Sequence, residues 1–306
     1  MKEKPEYFQV KEIINLKLDQ DGKYTYIKLK KRNYNTLDSL KLISNKLKIN
    51  LKEIGFAGYK DKKAITTQYI SLPRLQRLQI ENLNLKDINL TFLGYGKKRI
   101  ALGDLEGNKF KIRFESKLKN ISSYENYFDD QRFGVNYTNH IAGKLILERK
   151  FKELDFYINK EEYQEYKIKL RFFLHAYQSY LFNLVLAEYL SNFEHINLDY
   201  KLGKFVFIKK SIKNFKIPII NFDTDLKNKI GLIYKKILKK ENINQNSFLI
   251  KEMPFLVSDT NFRDAFFKLN NLKQKDNYIY FSLPKGSYAT MVLKKIEALK
   301  MYNDIL

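Results

Sequence analysis

The pattern of apolar residues changes twice along the chain, and this change restricts the possible folds more than any other feature. Residues 7–10 and 23–29 alternate polar and apolar side chains, which predicts half-buried strands, and residues 278–283 return to the same pattern. Between these ends, residues from about 141 to 192 repeat apolar side chains at helical spacing. Helix-rich sequence between strand-rich ends predicts an inserted domain.

The first third predicts a sheet with one helix. Leu37, Leu40, Ile43 and Leu47 predict a helix over 37–48, with Thr36 as its cap. Further strands are predicted near 67–72, 90–93 and 110–114, with a turn at Gly107-Asn108 before the last of them. We therefore expect an α+β fold with a mixed or antiparallel sheet. Its discontinuous main domain should comprise residues 1–150 and 259–306, and the inserted helix-rich α/β domain residues 151–258.

The charge of the chain favours a polyanionic partner. It has 57 Lys and Arg against 34 Asp and Glu, which gives a formal net charge of +23. The alternative is that a bias towards lysine simply produces a solvated surface.

Cysteine is absent, which excludes disulfides, thiolate metal ligands and cysteine nucleophiles, and suits the cytoplasm. No run of about eighteen apolar residues indicates a membrane span, so no membrane association is expected.

One segment carries the pattern of a catalytic site. In GYKDKK at 58–63, Asp61 is flanked by Lys60, Lys62 and Lys63. Nearby positive charge favours an ionised carboxylate, and a positioned carboxylate can act as a nucleophile at carbon. The preceding Gly55 and the segment's own first glycine should permit tight backbone paths. From the pattern alone, a surface hairpin whose aspartate pairs with lysine is the better interpretation of this segment.

Five segments resemble the TruD family of pseudouridine synthases, in family order. GYKDKKAITTQ at 58–68 resembles the family signature around its catalytic aspartate, and RIALGDLEGNKF at 99–110 resembles a second family motif. NYFDDQRFG at 126–134, the helical segment at 172–190 and LPKGSYAT at 283–290 resemble three more. The resemblance implies a pseudouridine-synthase-like catalytic domain with an inserted TRUD domain. It also implies isomerisation of uridine in tRNA without a cofactor or metal, with uridine 13 as the expected target.

The resemblance also assigns residues to roles. Asp61 takes the position of the nucleophile, and substrate binding is expected at Phe8, Asn126, Phe128, Tyr288 and Lys60, with Phe128 beside the target base. Aromatic rings can stack an extruded base, and an amide can read its edge. The final proton of C5 would pass to Tyr59, Lys60 or water.

Three departures from the family pattern bear on these roles. Asp129 and Asp130 replace small residues and bring negative charge near an expected RNA surface. Tyr288 stands where phenylalanine is usual, so a buried hydroxyl needs a partner. The insertion is shorter than in bacterial members, which affects its RNA contacts most.

Two other interpretations remain open: an RNA-binding protein without catalysis, and a synthase of the same family that acts on another RNA position. A zinc deaminase is excluded because its cysteine ligands are missing. Gly94 and Gly96 begin a dinucleotide-binding pattern that lacks its last glycine, so nucleotide binding is not expected. The expected partner is tRNA, bound by a monomer.

Overall fold

The computed structural model describes residues 4–115, 118, 123–158 and 163–303. Their strands are β1 (Phe8–Ile13), β2 (Tyr24–Arg32), β3 (Gly55–Phe56), β4 (Ile65–Pro73), β5 (Ile88–Gly96), β6 (Gly107–Arg113), β7 (Ser123–Glu125), β8 (His195–Tyr200), β9 (Gly203–Ile208), β10 (Lys216–Ile219), β11 (Asn261–Asp264), β12 (Phe266–Lys268), β13 (Asn270–Lys275) and β14 (Tyr278–Pro284). Their helices are α1 (Thr36–Leu47), α2 (Arg77–Glu81), α3 (Asn139–Leu147), α4 (Phe151–Leu154), α5 (Tyr163–Leu190), α6 (Lys229–Lys240) and α7 (Ala289–Asn303).

The chain divides into two compact units. Unit 1 comprises Met1–Leu118 and Leu269–Ser287, and unit 2 comprises Lys119–Lys268 and Tyr288–Leu306. The boundaries of these units differ from those of the predicted domains, 1–150 with 259–306 and 151–258. Helix α3, for example, precedes residue 150 but packs on α5 of unit 2. That residues 151–258 are an inserted domain stays a prediction.

Unit 1 is built on one mixed sheet. Eight described strands form it, in the order β13-β14-β6-β1-β4-β2-β5, with β3 also paired to β4. Among the described pairs, only β1 with β4 is parallel. The predicted α+β class with a mixed sheet is confirmed.

The pairing of β1 with β4 ends at Lys11 and Thr67, before the end of either strand, and leaves an opening between the strands. Strand β1 pairs with β4 from Gln9 to Lys11, whereas β3 pairs with β4 only at Ile70 and Ser71. The segment that joins β3 to β4, and that contains Asp61, therefore leaves the sheet beside this opening.

Helix α1 covers one face of the sheet. Leu40 and Ile43 of α1 lie in one buried cluster with Ile27, Leu29 and Ile70 of the strands. Removal of such apolar surface from water provides most of the stabilisation.

Two local predictions in unit 1 are wrong. Helix α1 begins at Thr36 as a helical residue, and its cap is Asn35, whose side chain accepts from the amide of Asp38. Gly107 is not in a turn but begins β6, where a methyl group on it would lie 2.3 Å from the carbonyl oxygen of Leu283. The glycine is needed because two backbones approach closely.

Unit 2 is centred on the buried helix α5, against which α3 packs. The contact is very close at Gly143, where a methyl group would lie 2.1 Å from the carbonyl oxygen of Phe173 and 2.8 Å from Cβ of Tyr177. The described strands of unit 2 form separate pairs, β7 with β12, β8 with β9 and β10 with β11. The predicted helical character near 141–192 is confirmed, although it is divided among several helices.

Candidate active site

The loop that carries Asp61 is fixed at the neighbouring residue. The amide of Lys60 donates to Oγ1 of Thr36 at 2.8 Å, and that hydroxyl donates to Oε1 of Gln68 at 3.0 Å. Thr36 begins α1 and Gln68 lies on β4, and both are buried. The backbone is therefore anchored one residue before Asp61, which itself is partly exposed.

A buried ion pair holds the same loop from the other side. Nζ of Lys60 lies 2.5 Å from Oε2 of Glu12, and the two side chains are 5% and 0% exposed. The other carboxylate oxygen of Glu12 accepts from the amide of Tyr69 at 3.2 Å, near the end of the β1–β4 pairing. Glu12 thus joins the Asp61 loop to the opening in the sheet. Since its ammonium points into the fold, a substrate-binding role for Lys60 stays a prediction.

Lys31 is a further charged group near Asp61, and it was not predicted from the sequence. Its side chain is buried and donates to the carbonyl oxygen of Tyr34 at 2.5 Å. Burial, together with the positive charge of Lys60, lowers the pKa of Lys31 to about 8, and the Asp61 carboxylate opposes both effects. A signal was present in the sequence, because Lys31 continues the alternation of Ile27 and Leu29 on the buried face of β2.

The expectation that glycine permits a tight backbone path is met at Gly55 but not at Gly58. A methyl group on Gly55 would lie 2.3 Å from the carbonyl oxygen of Ile100, so glycine is required there. On Gly58 the nearest atoms would be Cδ2 of Leu105 and Nζ of Lys60, each at 3.5 Å, an ordinary contact distance. The expectation for Gly58 is therefore wrong.

Phe8 is also in unit 1, on β1. It is 4% exposed, and its ring meets that of Phe110 edge to face at 6.3 Å, while Phe110 stacks on Phe281 at 5.3 Å. The ring is thus part of an aromatic row across three strands. Its contact with RNA stays a prediction.

Phe128, Asn126 and Tyr288 all lie in unit 2. The guanidinium of Arg263 lies 4.0 Å from the centre of the Phe128 ring, and the rings of Phe182 and Tyr288 lie 5.4 Å and 6.3 Å from it. We call Phe128, Arg132, Phe182, Arg263 and Tyr288 the arginine–aromatic cluster. Phe182 is fully buried, so the partly exposed rings of Phe128 and Tyr288, with two guanidinium groups beside them, are the members of the cluster that could contact a ligand.

The backbone of Phe128 is held by one side chain of α5. Oδ1 of Asn183 accepts from the Phe128 amide at 2.9 Å, and its Nδ2 donates to the Phe128 carbonyl oxygen at 2.8 Å. This pair of hydrogen bonds orients the ring relative to the helix.

Asn126 positions an arginine of the cluster. Its Oδ1 accepts from the guanidinium of Arg263 at 2.5 Å, its carbonyl oxygen accepts from Nε at 2.9 Å, and its Nδ2 donates to the carbonyl oxygen of Asp264 at 2.8 Å. The residue is 1% exposed. Its amide is occupied by the protein, so direct reading of a base by Asn126 stays a prediction.

The two arginines were not found from the sequence. Burial lowers the pKa of Arg263 to about 10, while Tyr288 opposes this shift. Arg132 donates from Nε to Oγ of Ser179 at 3.1 Å and lies 5.4 Å from the ring of Phe172. Burial raises the pKa of the Tyr288 hydroxyl, and both arginines oppose that shift.

Asp129 does not bring charge to the surface. It is 2% exposed, and its carboxylate accepts from Thr290 and, at 2.6 Å, from Nζ of Lys294. Asp130 accepts from the same ammonium at 3.0 Å. The acidic pair therefore anchors α7.

Within the described residues, no group of histidine, aspartate and glutamate side chains is arranged to hold a metal ion. No helix among those residues is long and apolar enough to cross a membrane.

Comparisons with known proteins agree on one family. The family model described as tRNA pseudouridine synthase D (TruD) matches residues 1–169 and 204–296. A tRNA pseudouridine synthase D of Aquifex aeolicus is 31% identical over 374 residues, covering 97% of this chain and 97% of that protein. A protein of Archaeoglobus fulgidus named a probable tRNA pseudouridine synthase D is 28% identical, covering 96% of this chain and 93% of that one.

A solved structure shares the fold. The chain from Methanosarcina mazei, described as a tRNA pseudouridine synthase D, superposes with a TM-score of 0.66 at 24% identity, covering 97% of this chain and 92% of that one. Between its two matched ranges the family model leaves residues 170–203 unmatched, and these contain most of α5 and all of β8.

Proposed function

The chain belongs to the TruD family of tRNA pseudouridine synthases, which are isomerases, and on this basis we propose that Asp61 is the nucleophile that converts uridine 13 of tRNA to pseudouridine. The observation that carries the assignment is the loop of Asp61. Asp61 is partly exposed, while Lys60 beside it is fixed both by Thr36 and by Glu12. A reacting group held by a rigid support meets the requirement for catalysis by positioning.

The reaction needs no external redox partner. The bond from C1′ of ribose to N1 of uracil breaks, the base turns over, and C5 forms a bond to C1′. C5 loses one proton and N1 gains one, so atoms and charge balance. The Asp61 carboxylate either attacks C1′ or removes the proton of C2′, and both routes begin from the same position. Because Lys60 is paired with Glu12, Tyr59, which is exposed, or water is the better acceptor for the C5 proton.

Unit 2 supports recognition of the base. We assign Phe128 and Tyr288 of the arginine–aromatic cluster to stacking on an unstacked nucleotide, with the two arginines attracting its phosphates. Asn126 then acts by holding Arg263 against the Phe128 ring.

The test compares the wild type with D61N and with a matched control, D21N, which changes an exposed aspartate of a turn. Each protein is incubated with unmodified tRNA transcripts, pseudouridine is mapped by carbodiimide labelling and primer extension, and RNA affinity is measured in parallel. We expect wild type and D21N to form one pseudouridine at position 13 and D61N to bind without forming it. Full activity in D61N would refute the assignment of the nucleophile.

The same experiment separates the two remaining interpretations. A transcript in which uridine 13 is replaced by cytidine should lose the signal, and a signal elsewhere would name another target position. Binding without any product in the wild type would favour a non-catalytic RNA-binding protein. We further propose a cytoplasmic monomer, for which light scattering should give a mass near 36.6 kDa.

A further inference from the structure

A second charged surface lies on the sheet of unit 1, away from the groups that hold the Asp61 loop. Pairing register places Lys11 opposite both Thr67 and Lys109, Lys30 opposite Thr67, and Lys111 opposite Tyr280. Paired residues of neighbouring strands share a face. We call this surface the open face; it consists of Lys11, Lys28, Lys30, Thr67, Asn89, Thr91, Lys109, Lys111 and Tyr280.

The open face lies on the opposite side of the sheet from the side chains that hold the Asp61 loop. Glu12, Lys31 and Gln68 each follow an open-face residue by one position on the same strand. Successive side chains of a strand point to opposite faces. The groups that hold Asp61 therefore project to the side covered by α1, and the lysines project away from it.

The lysines of the open face are not neutralised within the described parts of the chain. Lys11, Lys30 and Lys109 are exposed, and none of the five lysines has a carboxylate within ion-pair distance among the described residues. Other lysines of unit 1 do find partners, as Lys97 does with Asp19 at 2.7 Å.

The arrangement also places like charges together. Lys11 and Lys109 are direct neighbours on antiparallel strands, a pairing that opposes sheet formation. A ligand that carries negative charge would relieve this repulsion.

The shape and the remaining side chains suit a nucleic-acid backbone. The lysines surround a shallow depression of about 390 Å³ that is also lined by Thr67, Thr91 and Asn89, which can hydrogen bond to phosphate or ribose. At one side, Nζ of Lys111 lies 4.5 Å from the ring centre of Tyr278 and 5.8 Å from that of Tyr280. Cations and rings side by side are typical of surfaces that bind phosphate and stack bases.

We propose that the open face binds the phosphate backbone of structured RNA, independently of Asp61, and so contributes to affinity rather than to the chemical step. The inference rests on the proposed function, because that function makes tRNA the available polyanion. Charge complementarity selects the occupant, and Thr, Asn and Tyr side chains among the lysines add contacts that suit RNA.

The test uses two quadruple variants of equal charge. K11Q/K30Q/K109Q/K111Q removes four lysines from the open face, and K41Q/K46Q/K52Q/K86Q removes four exposed lysines elsewhere in unit 1. Both lower the formal net charge from +23 to +19, that is 23 minus 4. Dissociation constants for a tRNA transcript are measured in the D61N background at several salt concentrations, and product formation is measured in the otherwise wild-type background.

We expect the open-face variant to lose about 3 in the slope of log affinity against log salt, roughly 0.7–0.9 for each phosphate contact. Its affinity at about 0.1 M salt should fall at least roughly tenfold, with KM raised and kcat unchanged. The control should stay within about twofold of the parent. Its melting temperature should not fall, because removing Lys109 beside Lys11 relieves repulsion, so loss of folding cannot mimic the result.

Three results would overturn the proposal: equal losses in both variants, no loss in either, or a loss of binding to phosphatidylserine vesicles without any loss of binding to RNA. Failure of the proposed function is seen separately. It appears as absence of product from the unaltered protein, whereas the binding arm decides the open face by itself.

Discussion

Replacing Lys60 by methionine removes one partner of the buried pair that holds the Asp61 loop. The carboxylate of Glu12 is then left inside the fold with 0% exposure and without its ammonium partner. Breaking a buried pair in this way typically costs about 3–5 kcal/mol. A displacement of Asp61 by about 1 Å would in addition reduce kcat by roughly a hundredfold.

The double variant E12Q/K60M separates charge from packing. Glutamine keeps an oxygen that can accept from the Tyr69 amide, and no unpaired charge remains. We therefore expect the double variant to recover at least half of the stability lost in K60M. The control K62M changes an exposed lysine of the same loop and should stay within about 0.5 kcal/mol of the wild type.

Urea unfolding followed by circular dichroism measures the stabilities, and single-turnover formation of pseudouridine measures the rates. If K60M and K62M unfold at the same urea concentration, the pair of Lys60 and Glu12 does not stabilise the protein. If K60M is destabilised but its rate is unchanged, the pair supports the fold without positioning Asp61.

Three further predictions follow from single contacts. The pKa of Lys31 is lowered to about 8 in the fold, so between about pH 8 and 10.5 the unfolded chain holds this proton and the folded chain does not. In urea titrations the wild type should therefore gain stability with rising pH relative to K31M, and parallel curves for the two proteins would contradict this. G143A should lower the melting temperature by an amount that reflects about 1–3 kcal/mol of overpacking, whereas G58A, whose added methyl group would meet its neighbours at ordinary contact distances, should melt near the wild type; equal melting of the two variants would refute the close contact at Gly143. R263K keeps the charge but loses the paired hydrogen bonds and the stacking on Phe128; it should weaken tRNA binding and destabilise the protein by about 1.5–3 kcal/mol, and wild-type values for both would show that the cluster has no such role.

Local patterns in the sequence predicted helix α1 and the strands β1, β2, β4, β5, β6 and β14, because burial on one face imposes a period of two or of 3.6. They did not predict β13. The errors arose where the deciding contact is distant. The glycine at 107 suits a turn by type, yet its need comes from Leu283, far along the chain.

The site divides in the same way. Asp61 could be predicted as the candidate nucleophile because its family signature is continuous in sequence. Arg263 was not, since its partner Asn126 is 137 residues away. Glu12 and Lys60 are 48 residues apart, and neither type of residue by itself indicates a buried pair. Distant pairs of this kind become visible only once the fold brings them together.

The position of β13 and β14 has a consequence for how the protein is made. Strand β14 pairs with β6 along Tyr278–Pro284, after about 165 intervening residues have been synthesised. During translation, the edge of β6 therefore remains unpaired while residues 119–268 of the second unit emerge from the ribosome. Such an edge can pair with other extended chains. We expect nascent fragments that end before residue 278 to need chaperones, and translation speed over the intervening segment to influence the yield of native enzyme.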